Sequence, residues 1–332
     1  NLSFFSYLNL YNILNFMMSL DNNIKAIFLI LIGMFVFTIQ DVLIKLISDS
    51  VNIYVIYIMR SITGLCVIVI YCRIKKIKIV LTTYYPFITF IRVIGFFLGF
   101  SLYYFSLSKI SLPEAVTLFF ASPFFVTIFS KIIIGERVGF YRLSSIVIGF
   151  LGVYLVLDPN FNDFNIYSLF PIICAFFYAF TVVIQKKTSD KDSLFTQIIH
   201  TYISAIIFSF IIFVAVNNLT FSQYQLSEYN FILMSWNIPN YSSFLILIVI
   251  GFTGVIGFFA LFGAYRIGSP STIAPYEYSL IFWSILLGYF IWNDYLSIKG
   301  FFGLLLILLA GLFTLYREYI LRIKINTDKT IR

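Results

Sequence analysis

Charge is scarce in this chain. Asp, Glu, Lys and Arg make up 11% of its 332 residues, against 61% apolar residues. At a mean hydropathy of +0.98, a water-soluble domain of this size would have no polar surface to present to solvent. Histidine occurs once, at His200. A single histidine with no near acid in its own segment argues against an intramembrane enzyme, which needs a nucleophile with a base or clustered metal ligands. No catalytic residue, metal or cofactor is therefore expected, and His200 reads as a packing residue before a proton relay. The three cysteines, Cys66, Cys72 and Cys174, lie in or at the ends of apolar stretches without metal or redox spacing and read as small core residues. Strict apolar–polar alternation is missing, which excludes an outer-membrane barrel. A Walker motif is missing too, so ATP could drive this chain only through a partner. No basic start with a cleavage site marks a signal peptide.

What the chain does have is ten long apolar stretches, at roughly 24–47, 53–72, 84–107, 113–134, 143–157, 166–185, 194–217, 241–265, 271–291 and 298–316. Crossing a ~30 Å hydrocarbon core takes about 20 helical residues. Backbone polar groups in lipid must be satisfied internally, so these stretches predict ten transmembrane helices in an all-α integral membrane protein. The fifth is short and must either sit nearly upright or borrow flanking residues such as Arg142 and Asp158.

Basic residues fall unevenly across the connections. Counted from the N-terminal side, 17 lie on that side and three (Lys45, Lys109, Lys299) on the other, with Arg60 and Arg92 inside helices. The positive-inside rule then predicts both termini in the cytoplasm of a bacterial inner membrane. The net charge of +8 is thereby a topology signal with some attraction to anionic membrane lipid, and no nucleic-acid partner is expected. Met17 and Met18 stand just before the first stretch. Residues 1–16 are expected to be an upstream extension or an interfacial tail within an N-terminal segment 1–23.

The chain repeats itself. Pro113 and Pro270 are 157 residues apart, Glu136 and Asp294 158, Gly152 and Gly311 159. The units 24–157 and 166–320, followed by a basic tail 321–332, would each hold five helices. An odd number inserts the second copy upside down, giving two inverted repeats with a site near the midplane between them, as in many secondary transporters. The one long external connection, 218–240, reads as a surface cover.

Charges embedded in a bilayer cost about 2.5–3.5 kcal/mol each on insertion scales, so each carries a functional hypothesis with a named partner. Asp41 and Arg60 both fall about 10 Å from the outer surface at 1.5 Å per residue and can pair. Arg92 and Glu277, each several residues in from the inner side, can pair across the two repeats. Either pair reads as a structural tie between helices. Arg92 with Glu277 also reads as a substrate or coupling-ion site whose pairing changes as the halves move, and Asp41, Arg60, Tyr276 and Tyr278 are candidates for the same role. Lys45 is expected to snorkel to the surface, Glu114 to cap the fourth helix, and Glu136 to lock the inner loop. Pro275 frees a backbone carbonyl one turn earlier, and Tyr276 and Tyr278 flank the Glu277 carboxylate. With Phe120-Ala121-Ser122-Pro123 in the equivalent region of the fourth helix, two proline-kinked helices would face each other across a cavity.

Residues 108–159 and 269–318 resemble the two halves of a drug/metabolite transporter of the EamA type. The resemblance covers about 24–320. It rests on the proline and "GER" (135–137) after the fourth stretch, the glycine-spaced fifth, and "APYEY" (274–278) in the ninth. "QDVLIK" at 40–45, "IR" at 91–92 and "APYEY" look closest to a bacterial branch that includes S-adenosylmethionine uptake carriers. The resemblance implies ten helices, alternating access, and a central cavity that would include Arg92, Tyr104, Ser122, Tyr276, Glu277 and Tyr278, with Gln40 and Pro275 close by. Glu277 departs from the branch, which often carries a basic residue there, and Asn293-Asp294 replaces the second "GE".

The function expected is secondary transport of a small organic metabolite, an S-adenosylmethionine-like, riboflavin-like or amino-acid-like solute, by exchange or by proton coupling, with Glu277 or Asp41 as the proton candidates. A lipid or headgroup flippase would keep every feature used and stays open. A passive channel lacks a ring of like residues. A homodimer is an open alternative to a monomer.

Overall fold

The computed structural model describes residues 22–110, 112–136, 139–157, 166–219, 229–233, 240–293 and, with short gaps, 298–316. Among the described residues there is no strand. The long helices are α1 (Asn22–Ile47), α2 (Ile53–Ile74), α3 (Pro86–Leu107), α6 (Phe140–Leu157), α7 (Leu169–Thr188), α8 (Leu194–Asn217) and α10 (Tyr241–Ile267). Between them come α4 (Leu112–Phe119), α5 (Ser122–Phe129), the short α9 (Asn230–Leu233), α11 (Pro270–Ile273) and α12 (Ser279–Trp292). Among the described residues six helices are long and apolar enough to cross a membrane unaided. The remaining apolar stretches are helical but shorter or interrupted, which is compatible with ten crossings.

Helix starts follow their sequence signals. The side chains of Asn52, Ser193 and Asn240 accept from the backbone N–H of Tyr54, Thr196 and Ser243 at 2.7, 3.0 and 2.8 Å, and Pro86 opens α3, where its missing donor is harmless. The fifth stretch does borrow flanking residues, since α6 starts at Phe140. Lys45 differs from expectation. It does not snorkel away but donates to the carbonyls of Leu107 and Ile110 at 2.9 and 3.0 Å, closing the C-terminal end of α3, whose last carbonyls lack helical partners. The readings of residues 1–21, the basic tail, Asp158, Asp294, Gly311, most of 218–240, and the side chains of Pro113, Glu114 and Arg142 lie outside the described residues.

The fourth and ninth stretches lose regular α-helical hydrogen bonding next to their prolines while the backbone stays right-handed at Ala121, Ala274 and Tyr278. α4 and α5 are separated by a turn at Phe120 and Ala121; α11 and α12 are separated by a 3₁₀ segment, Ala274–Tyr278. Pro123 and Pro275 each remove one backbone donor, which leaves the carbonyl four residues earlier without its helical bond. The interrupted stretches end alike as well. Gly135 (φ 79°) and Asn293 (φ 56°) both adopt the left-handed conformation, 158 residues apart. Only glycine and, to a lesser extent, asparagine take that shape readily, so Asn293 keeps the cap that glycine supplies in the first copy.

Packing shows the same exchange. α1 lies along α10 and α3 lies along α7; α5 meets α7 and α12 meets α1; α2 meets α10 and α8 meets α3; α2 packs on α8. Replacing each element of the first unit by its counterpart in the second converts every one of these contacts into another on the same list. The seams are made by small residues. A Cβ added to Gly33 would stand 3.3 Å from the Cβ of Ala260, and one added to Gly99 2.9 Å from Phe177. Gly251, Gly254 and Gly257 line α10 at intervals of three, where an added Cβ would meet Thr63, the Arg60 guanidinium (2.8 Å) and the Phe37 ring (2.6 Å). Such spacing lets helix backbones approach in lipid, where apolar burial between helices is weak.

Gly257→Val is expected to lower the thermal unfolding midpoint of the detergent-purified protein, at a cost of about 1–3 kcal/mol from overpacking. Gly139→Ala, whose Cβ would meet nothing within 4 Å, should leave the midpoint unchanged in the same melt.

Candidate functional site

Where α1–α4 meet α7, α10 and α12, the helices leave a small cavity of about 30 Å³. Gln40 and Asp41 reach it from α1, Arg60 from α2, Tyr103 and Tyr104 from α3 and Tyr178 from α7; Phe37, Phe96, Phe100 and Phe119 wall it. Arg60 Nη1 and Gln40 Nε2 both donate to the Tyr104 hydroxyl, at 3.0 and 2.9 Å, and the Tyr103 hydroxyl donates to Asp41 Oδ2 at 3.1 Å. The Arg60 guanidinium also stands 4.9 Å over the Phe258 ring, a favourable cation–π position. Asp41 and Arg60 therefore share one site, but the expected direct ion pair is not formed, because the α3 phenols take both groups. Arg60 Nε and Gln40 Oε1 remain buried without hydrogen-bond partners. An unused donor and acceptor in an aromatic cavity suit a polar organic ligand.

Glu277 is fully buried beside this cavity. Its Oε1 accepts from the Tyr178 hydroxyl at 2.7 Å and from the Tyr265 hydroxyl, and its Oε2 accepts from Ser122 Oγ at 3.4 Å. Four separate segments, α5, α7, α10 and the 3₁₀ turn, thus converge on one carboxylate. Tyr178 belongs to both the cavity wall and this cluster.

Arg92 has other partners. Its Nη2 donates to the Gln197 carbonyl at 3.0 Å and its Nη1 to Thr201 Oγ1 at 3.2 Å, with its guanidinium 5.8 Å from the Phe262 ring. The predicted Arg92–Glu277 pair does not form. α3 faces α7 and α8, whereas Ala274–Tyr278 packs on α1, α5, α6, α11 and α12.

Of the residues singled out from the sequence, Gln40, Asp41, Arg60 and Tyr104 line the cavity. Ser122 and Glu277 form the neighbouring cluster. Arg92, Pro275, Tyr276 and Tyr278 lie off the cavity wall. Tyr278 turns toward α6, where its hydroxyl donates to the Ile146 carbonyl at 3.3 Å and its ring packs 5.2 Å from Phe120. Tyr103, Tyr178, Tyr265, Gln197 and Thr201 were not anticipated. The phenols were hidden among 24 tyrosines. Gln185 and Gln197, polar amides at the ends of two apolar stretches, were a readable signal; Gln185 Nε2 donates to Gln197 Oε1 at 3.1 Å.

At the end of the bundle that carries the N-terminus of α3, polar ties hold the connections. Asp192 accepts from Thr83 Oγ1 at 2.5 Å and from the Tyr84 N–H at 3.0 Å, and Arg266 Nη1 donates to the Asp192 carbonyl at 2.8 Å. Tyr85 donates to Asp190 at 2.9 Å, which pushes its phenol above the ordinary value. Glu136 accepts from Ser269 Oγ at 2.9 Å, tying the two units at their loops. His200 Nε2 meets the Leu81 carbonyl at 2.7 Å, a packing contact as read. Among the described residues no cluster of His, Cys, Asp and Glu could hold a metal ion.

Comparison with known proteins agrees with this architecture. A solved crystal structure that is 15% identical superposes with a TM-score of 0.68 over 87% of this chain and 96% of the other, a likeness of fold. An S-adenosylmethionine uptake transporter of Rickettsia prowazekii (strain Madrid E) is 28% identical over 241 residues, 73% of this chain and 76% of that protein. A riboflavin transporter of Vibrio cholerae is 27% identical over 205 residues, 61% and 62% respectively. The family model of the EamA-like transporter family matches residues 24–158 and again 165–316. With both units of a polytopic helical chain accounted for, this protein belongs to the EamA-like transporter family.

Proposed function

We propose that this chain is a secondary transporter that carries a small organic metabolite across the bacterial cytoplasmic membrane by alternating access, with both termini in the cytoplasm. The observation that carries the reading is the cavity itself. It lies between the units 24–157 and 166–320, and it holds a buried arginine, a buried carboxylate and unused hydrogen-bonding atoms inside aromatic walls. The exchange-related contacts support two inverted repeats, because a pseudo-two-fold arrangement gives one fold two states of similar energy by swapping the conformations of its halves. Interrupted helical hydrogen bonding at 120–121 and 274–278 lies beside the cavity, where irregular structure is tolerated in a membrane.

In this reading Arg60 and Gln40 engage polar groups of the solute, Asp41 faces a cationic or hydroxyl group, and the phenylalanines take its apolar or ring portion. No ATP is needed: the gradient of the solute, an exchanged solute or an ion supplies the drive.

Counterflow into proteoliposomes, with labelled S-adenosylmethionine and labelled riboflavin as separate probes, tests this. At least one probe should accumulate. Arg60→Gln and Asp41→Asn should each slow its counterflow about ten-fold or more, the equivalent of about 1.4 kcal/mol. Failure of both probes together with rapid scrambling of a fluorescent phospholipid would favour a flippase. The topology has its own test. A cysteine placed at Arg322 should react in intact cells with a membrane-permeant maleimide and be protected from an impermeant one.

A further inference from the structure

Glu277 is not explained by solute binding. It is buried at 0% exposure, it does not line the cavity, and its contacts are three hydroxyls with no cation. A purely structural tie in the membrane would use neutral partners at lower desolvation cost.

We propose that Glu277 is a proton-coupling site, separate from the solute cavity and linked to it by Tyr178. The proposal rests on the transporter reading above. Its ligand is a single proton. When ionised, Glu277 accepts from all three hydroxyls, and charge-assisted bonds of this kind are about twice as strong as neutral ones. When a proton binds at Oε2, the Ser122 contact reverses and Oε2–H donates to Ser122 Oγ, while the two phenols face a weaker, neutral acceptor at Oε1. All three hydroxyls stay in contact with the carboxyl group in both states, with the Ser122 hydroxyl proton turned away from Oε2 when Glu277 carries the proton. What changes is the grip on Tyr178. Its ring also forms part of the cavity wall, 5.1 Å from Phe119 and 6.2 Å from Phe100, so loosening it alters the surface presented to solute. Ser122 comes from the first unit and the other three groups from the second, so the proton also changes a contact between halves.

The surroundings isolate this carboxylate. α7 presents Tyr178, α10 presents Tyr265 and α5 presents Ser122; the segment itself adds Tyr276 and Tyr278. α11 and α12 carry no charged residue. The ionisable groups of α1 are Lys25, Asp41 and Lys45, and those described on α6 are Tyr141 and Tyr154; none is bonded to Glu277. Glu136 is held at the loops by Ser269 Oγ.

The test uses the full chain, reconstituted and without solute. Infrared difference spectra between about pH 5 and pH 9 should show a protonated-carboxyl band. The measurement is made in an Asp41→Asn background, which removes the other buried carboxyl; there the band should persist, and Glu277→Gln should abolish it. Tyr178→Phe and Tyr265→Phe should retain it at shifted frequency, which keeps the test valid should Glu277→Gln fail to fold. A missing band in the Asp41→Asn background, a band surviving in Glu277→Gln, or a band indifferent to both phenol removals would overturn the proposal. The transport reading is judged separately with S-adenosylmethionine and riboflavin as probes. Glu277→Gln should lose uptake driven by a pH gradient while slower exchange persists; loss of exchange too, in a folded variant, would make Glu277 part of solute binding and overturn the coupling role.

Discussion

Lipid offers apolar side chains as good an environment as protein does, so hydrophobic burial cannot hold the halves of this molecule together. Everything in its architecture follows from that constraint. Close backbone approach must come from glycine and alanine, and lateral specificity from hydrogen bonds. The α1–α10 and α3–α7 seams supply the first through Gly33, Gly257 and Gly99. The second is concentrated at a few points: Tyr103 and Tyr104 holding Asp41, Gln40 and Arg60, and the hydroxyl cluster on Glu277. The helices of the two units are interleaved, α1 along α10 and α3 along α7, so these ties join the units to each other.

The same constraint explains where the polar residues sit. A buried arginine or carboxylate in lipid requires partners in the protein, and each of the four finds them on helices other than its own. Arg60 uses a phenol and an aromatic face, Arg92 a carbonyl and a hydroxyl, Asp41 a phenol, and Glu277 two phenols and a serine. No acid is consumed by a base. These charges are met by neutral groups, which is the arrangement the proposed roles need: a solute at Arg60, a proton at Glu277.

Much of the fold was legible in the sequence because membranes impose simple rules. Ten apolar stretches, the charge asymmetry and the near-constant offset between repeated residues needed only helix length and composition. Pro123 and Pro275 marked the weak points of the fourth and ninth stretches, although the loss of α-helical hydrogen bonding at 120–121 and 274–278 was not evident from prolines alone. The site was half legible. Gln40, Asp41 and Arg60 stood out as polar groups in apolar runs, and the cavity gathers them. Pairings were misread because depth in the bilayer says how far along a helix a residue lies but not which way it faces. Arg92 and Glu277 enter from the same side yet point toward different neighbours. Tyrosine, abundant everywhere in this chain, gave no hint that four particular phenols would take the place of counter-ions.

The central claim is that one cavity between two inverted halves opens alternately to the two sides of the membrane. The most direct measurement places a single cysteine at Gln40, with Cys66, Cys72 and Cys174 replaced, and follows its reaction with an impermeant thiol reagent. Right-side-out and inside-out vesicles are compared. Alternating access predicts reaction from either side, with protection on one side rising whenever a bound probe or an imposed gradient raises reactivity on the other. Reaction confined to one side under all conditions would contradict the account.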